Sequence, residues 1–215
     1  MATASDPHDN QPVLRAGPAP KDARVVAILL HGRGASAEDI LGLAHQFSAT
    51  DVAYVAPQAA GSTWYPYSFV APIAQNEPWL GSALRVVAGL VAMIGQQGIG
   101  SERLVIMGFS QGACLTLEFA ARHARRYAGV VAFSGGLIGP PGTPRDYAGD
   151  FAGTPIFIGS SDVDPHIPLE RVQETTAVLR RMGARVDERI YSRMGHTVNA
   201  DELRTADALL AAIPW

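Results

Sequence analysis

Three residues of this chain have the types and settings for nucleophilic acyl transfer. Ser110 sits in Gly108-Phe109-Ser110-Gln111-Gly112, a G-x-S-x-G pentapeptide. A serine hydroxyl is a weak nucleophile until a neighbouring base takes its proton, and a sharp strand-to-helix turn exposes it to such a base. His196, in Met194-Gly195-His196-Thr197, offers an imidazole in a loop. Asp164, followed by Pro165, offers a carboxylate to fix the imidazole's tautomer and offset the imidazolium that forms. Asp162 is a rival two residues earlier, and the stiffening of the turn by Pro165 favours Asp164.

The oxyanion formed in acyl transfer needs two preorganised donors. The backbone N–H of Gln111, next after the nucleophile, is one candidate. The backbone N–H of Arg33, in the glycine-flanked His31-Gly32-Arg33-Gly34 loop, is the other. His31 itself reads as a structural residue that hydrogen-bonds this loop. Trp64, Tyr65 and Phe69 fall in a loop, where aromatic rings are harder to explain as core, and are expected to wall a substrate pocket. Cys114 lies one helical turn past Ser110 and reads as a small buried residue without a base of its own.

Two rival chemistries are weaker. Gly32 to Ala37 fits G-x-G-x-x-A between a strand and a helix, the pattern of a dinucleotide site. The acid about twenty residues on, Asp51, precedes the second strand instead of ending it. Asp162, Asp164 and His166 resemble a metal loop, but no acidic ligand follows in the calcium-loop register. No cofactor and no metal are expected.

These residues need a scaffold that brings them to one edge. Residues 24–30, 52–56, 103–107, 127–133 and 154–158 are apolar runs suited to strands buried on both faces. Residues 185–190 alternate, as a strand nearer the sheet edge would. Helical spacing covers Ser36 to Phe47 with Asp39 as capping partner, then Glu77 to Gln97, 113–121, Pro168 to Met182 and Asn199 to Ala212. Residues 11–16 suggest a short edge strand, and the turn at 17–22 suggests a hairpin into the next strand. Alternating strands and helices predict an α/β fold with a mainly parallel sheet covered on both faces. Ser110, Asp164 and His196 all follow strands, at the sheet edge where such folds form their sites. A single domain over 1–215 is expected, with residues 1–10 a loose tail.

The 215 residues carry a net charge of -3 and no block of like charge, so nothing favours nucleic acid. No membrane span is expected, because no apolar run approaches about 18 residues. One cysteine and the lack of a signal-peptide pattern point to the cytoplasm. A homodimer through the last strand and helix is left open.

Taken together, 30–35 (Leu-His-Gly-Arg-Gly-Ala), 108–113 (Gly-Phe-Ser-Gln-Gly-Ala), 133–136 (Phe-Ser-Gly-Gly), 164–168 (Asp-Pro-His-Ile-Pro) and 195–197 (Gly-His-Thr) resemble the phospholipase/carboxylesterase family of the α/β-hydrolase fold. That group includes acyl-protein thioesterases and bacterial carboxylesterases. The resemblance runs from about residue 22 nearly to the end. It implies esterase or thioesterase activity with no cofactor, and 215 residues leave little room for a cap domain beyond the minimal fold. It carries over Ser110 as nucleophile, Asp164 as acid and His196 as base, and the amides of Arg33 and Gln111 as oxyanion donors. Many relatives have an apolar residue where Arg33 stands, and a solvated side chain is expected for it here. The segment 61–69 leans towards the bacterial members. The leading expectation is therefore a serine carboxylesterase for small esters. A thioesterase or lysophospholipase with a longer acyl groove is the alternative, and a non-catalytic binding protein of the same fold is a third.

Overall fold

The computed structural model describes residues 6–214. Its centre is a seven-stranded sheet formed by β1 (Val13–Ala16), β2 (Val25–Leu30), β3 (Val52–Pro57), β4 (Leu104–Phe109), β5 (Gly129–Phe133), β6 (Pro155–Ser161) and β7 (Arg185–Tyr191). The spatial order is β1-β3-β2-β4-β5-β6-β7. β1 runs antiparallel to β3, and every other pairing is parallel.

The helices are α1 (Ala37–Leu41), α2 (Ile73–Asn76), α3 (Trp79–Gln96), α4 (Gln111–Arg122), α5 (Leu169–Arg181) and α6 (Ala200–Ala211). They cover both faces, and the strands divide their side chains accordingly. Val26, Ile28 and Leu30 of β2 join a core with residues of α3, α4 and α5. Val25, Ala27 and Leu29 of the same strand join a second core with residues of α1 and α6. Successive strand side chains point to opposite faces, so a strand covered on both sides must be apolar throughout. β2, β3 and β5 are buried at every residue, whereas β7, at the sheet edge, is mostly half-buried. This is the α/β-hydrolase architecture.

Three expectations need correction. The turn at 17–22 does not make a hairpin with β2, because both edges of β2 are taken by β3 and β4, and β1 pairs with β3 instead. The helix from Ser36 has the expected capping box with Asp39, but it tightens into a 3-10 turn at Gly42 that runs to Gln46. Helix α3 has the 18-residue length and the composition of a membrane span. It nonetheless has a buried face, through Leu80, Ala83, Val87, Leu90 and Ile94, in the core beneath α3, α4 and α5.

The third correction concerns the tail. Residues 1–5 lie outside the described residues, but residues 6–10 are not loose. His8 is 2% exposed, accepts the Ala60 amide at Nδ1 and donates from Nε2 to the Trp64 carbonyl at 3.0 Å. That pattern fixes a neutral ring, and burial, against the Trp64 hydrogen bond, holds its pKa below the ordinary histidine value. Asp6 pairs with Arg85 and with the Ser82 hydroxyl.

Candidate active site

The nucleophile turn is built by what glycine omits. Ser110 joins β4 to α4 with φ 56 and ψ -118, a conformation side chains rarely adopt. A Cβ on Gly112 would come within 2.1 Å of the Leu30 carbonyl oxygen, and one on Gly108 within 2.5 Å of the Gly112 backbone. The turn therefore nests against β2 only with glycine at both places. The Ser110 amide donates to the Phe133 carbonyl at 2.9 Å, which ties the turn to β5.

Asp164, His196 and Ser110 form one hydrogen-bonded chain. His196 Nε2 lies 2.7 Å from Ser110 Oγ, and Nδ1 lies 2.8 Å from Asp164 Oδ2. Asp164 accepts further bonds on Oδ1 from the amides of His166 at 2.8 Å and Ile167 at 3.1 Å. Its side chain is fully buried, while that of His196 is 16% exposed. Burial pushes the Asp164 pKa up, but the bond to His196 and the two amides outweigh it and hold it below the ordinary carboxylate value. An ionised carboxylate there accepts the Nδ1 proton and leaves Nε2 free to accept the serine proton. The Phe109 ring lies 5.0 Å from that of His196 and limits its swing.

Asp162 does not face the imidazole. Its Oδ1 accepts the Arg193 amide at 2.7 Å and so pins the loop that carries His196. That backbone bond holds the Asp162 carboxyl below its ordinary pKa.

Arg33 and Gln111 both line the cleft in front of Ser110, and neither backbone amide has an acceptor among the described residues. The loop carrying Arg33 is held from behind by His31, which is fully buried. His31 Nε2 accepts the Ala59 amide at 3.0 Å, so Nδ1 carries the proton towards the Gly32 carbonyl at 2.8 Å. Burial keeps this ring neutral, against the hydrogen bond at Gly32. His31 is thus a structural residue, as expected.

The cleft holds about 420 Å³, within the range of small-molecule sites. Tyr65 and Phe69 line it, but Trp64 does not. Trp64 is fully buried, donates from Nε1 to the His31 carbonyl at 2.8 Å, and packs its ring against His31 and His8. The chain bends through residues 64–67, which leaves Trp64 in the core while Tyr65 to Phe69 run along the cleft. Cys114 lines the cleft from α4. Burial pushes its thiol up to about 12, so it stays protonated and is not a second nucleophile.

Three side chains at the site carry more than the sequence suggests. Arg33 is not merely solvated: its guanidinium donates to the carbonyls of Tyr65, Pro66 and Tyr67 at 2.9, 2.9 and 2.8 Å. Gln111 accepts the Trp64 amide and donates to the Tyr65 carbonyl, both at 2.8 Å. The His166 ring stands edge-on to His196 at 4.8 Å and lines the cleft. Its place two residues after Asp164 was the available signal. Among the described residues no cluster of three or more His, Cys, Asp or Glu side chains has the arrangement of a metal site.

The family model described as Phospholipase/Carboxylesterase matches residues 16–213. A solved phospholipase/carboxylesterase from Dyadobacter fermentans superposes with a TM-score of 0.91 at 43% identity, covering 94% of this chain and 97% of that one. A probable carboxylesterase, SOBER1-like, from Arabidopsis thaliana is 27% identical over 60% of this chain and 50% of its own. Acyl-protein thioesterase 1 of Saccharomyces cerevisiae is 31% identical over 50% of this chain and 48% of its own. The chain spans about half the length of these last two relatives.

Proposed function

The chain belongs to the phospholipase/carboxylesterase family, and from that premise we propose that it is a serine carboxylesterase hydrolysing small carboxylic esters. The observation that carries the reading is the Asp164–His196–Ser110 chain of hydrogen bonds ending on a serine held at positive φ. Ser110 Oγ attacks the ester carbonyl carbon as its proton passes to His196 Nε2. The carbonyl oxygen takes the negative charge, opposite the amides of Arg33 and Gln111. Collapse expels the alcohol, which leaves with the proton from Nε2, and the acyl group stays on Oγ. Water then attacks this acyl-enzyme and gives its proton to Nε2. The carboxylic acid departs and Ser110 recovers its proton. Asp164 stays ionised throughout and offsets the imidazolium.

An open cleft of this size, lined by Tyr65 and Phe69, supports short acyl groups. The likeness to a yeast acyl-protein thioesterase supports a second reading, a thioesterase with a longer acyl groove. The cytoplasmic location suggested by the single cysteine belongs to the same proposal. The test is hydrolysis of p-nitrophenyl esters from acetate to palmitate by wild type and Ser110→Ala. Loss of several orders of magnitude in kcat with the alanine is expected, because the serine and its base act as a unit. Equal rates in the two proteins refute the assignment. Rates that climb steadily with chain length replace the first reading with the second.

A further inference from the structure

The two residues whose amides face the oxyanion in this reading also share an anchor. The Tyr65 carbonyl oxygen accepts from Arg33 at 2.9 Å, from Gln111 Nε2 at 2.8 Å and from the Thr63 hydroxyl at 3.0 Å. The same Arg33 fork reaches the next two carbonyls, those of Pro66 and Tyr67. Arg33 itself stands between two glycines, and Gly34 has φ +77. Glycine-flanked backbone is intrinsically mobile, so something outside it must hold the Arg33 amide still. The backbone supplies one tie to the neighbouring loop, from the Gly34 amide to the Ser62 carbonyl at 2.7 Å. The His31 ring and the Trp64 indole hold residues 31 and 32 from behind, and the three bonds from the guanidinium hold Arg33 itself.

We propose that the Arg33 side chain is a positioning residue, which clamps the carbonyls of residues 65–67 and thereby sets the Arg33 amide against the Gln111 amide across Ser110. This rests on the hydrolase reading given above. Two properties of the geometry argue for the clamp over recognition of an anionic substrate. The guanidinium is spent on a run of three consecutive carbonyls, where its planar fork fits and an ammonium would not. And one of those carbonyls is also held by the side chain of Gln111, so both amides are referenced to a single atom. Oxyanion donors act through preorganisation, and a small displacement of one forfeits much of its effect.

The experiment compares wild type, Arg33→Met and Arg33→Lys on p-nitrophenyl butyrate and on a p-nitrophenyl monoester of succinic acid. Binding of a trifluoromethyl ketone, which forms a tetrahedral adduct on the serine, is measured alongside. Arg33 is exposed, so all three should melt alike. A clamp predicts that Arg33→Met lowers kcat on the neutral ester by roughly tenfold to a hundredfold, less than the full loss of a donor, with KM little changed. Affinity for the ketone should fall in parallel. Arg33→Lys should resemble Arg33→Met, because it keeps the charge but loses the fork. In a fourth protein, Arg33→Ala, added guanidinium should restore part of the lost kcat. The clamp is overturned, with the hydrolase reading intact, if Arg33→Met stays within about twofold of wild type on the neutral ester. It is equally overturned if Arg33→Lys recovers full kcat, or if the loss appears only as a raised KM for the succinate ester. A wild type that neither hydrolyses these esters nor reacts with a fluorophosphonate overturns both readings.

Discussion

Replacing Glu202 with glutamine should remove a pH dependence of stability that spans pH 4.5 to about 7. Glu202 is the third residue of α6, the helix that follows the His196 loop. It is fully buried, and Oε2 accepts the Asn199 amide at 2.8 Å in a capping box. Oε1 has no partner among the described residues and presses on Gly159, where an added Cβ would lie 2.1 Å away. Burial raises the carboxyl from its ordinary 4.5 to about 7, with the Asn199 amide opposing and the neighbouring Asp201 charge adding to it. A folded-state pKa above the unfolded one means that the group's stabilisation is complete below pH 4.5 and is lost as pH rises through 7. At about 1.4 kcal/mol per pH unit, the loss amounts to about 3 kcal/mol by pH 8.5. Glu202→Gln keeps the acceptor for Asn199 and cannot ionise. It should match wild type near pH 4.5 and exceed it at pH 8.5 by about 3 kcal/mol, or roughly 6–12 °C in melting temperature for a chain of this size. Urea unfolding at both pH values checks it. Parallel pH profiles for the two proteins would refute the reasoning, because they would mean that Glu202 is charged in the folded state throughout.

Other perturbations separate local roles. Asp164→Asn should lower kcat by about 10³–10⁴, because the amide cannot hold the imidazole in the required tautomer. Asp162→Asn disturbs the bond to the Arg193 amide, away from the imidazole, and should cost less than about tenfold; steady-state rates on p-nitrophenyl acetate would expose any reversal of that order. Gly112→Ala puts a methyl group 2.1 Å from the Leu30 carbonyl oxygen, so the turn and β2 must separate. It should destabilise by about 2 kcal/mol or more and cut activity, as chemical denaturation and ester assays on one preparation would show.

Much of this was legible in the sequence for reasons that are local. Continuous apolar runs such as 24–30 announce strands buried on both faces, because neither face of such a strand meets water. The Ser36/Asp39 and Asn199/Glu202 pairs announce helix starts, because a cap is made within four residues. The glycines around Ser110 announce a turn too tight for a Cβ. The order of Ser110, Asp164 and His196 along alternating strands and helices brings all three to one sheet edge. Local pattern could not say which strand β1 would join, since pairing is a competition among edges far apart in the chain. Pro165 favours Asp164 over Asp162 for the bond to His196, but nothing local says that Asp162 turns to the Arg193 amide instead. Local pattern could not place Trp64 in the core and Tyr65 at the cleft, because that division depends on His8 and His31, which come from distant parts of the chain to pack on the Trp64 ring. Nor could it show that Arg33 and Gln111 converge on the Tyr65 carbonyl, across more than thirty residues in one case and more than forty in the other. Those choices belong to the tertiary structure, because they depend on which distant donors and acceptors the folded sheet brings within 3 Å of one another.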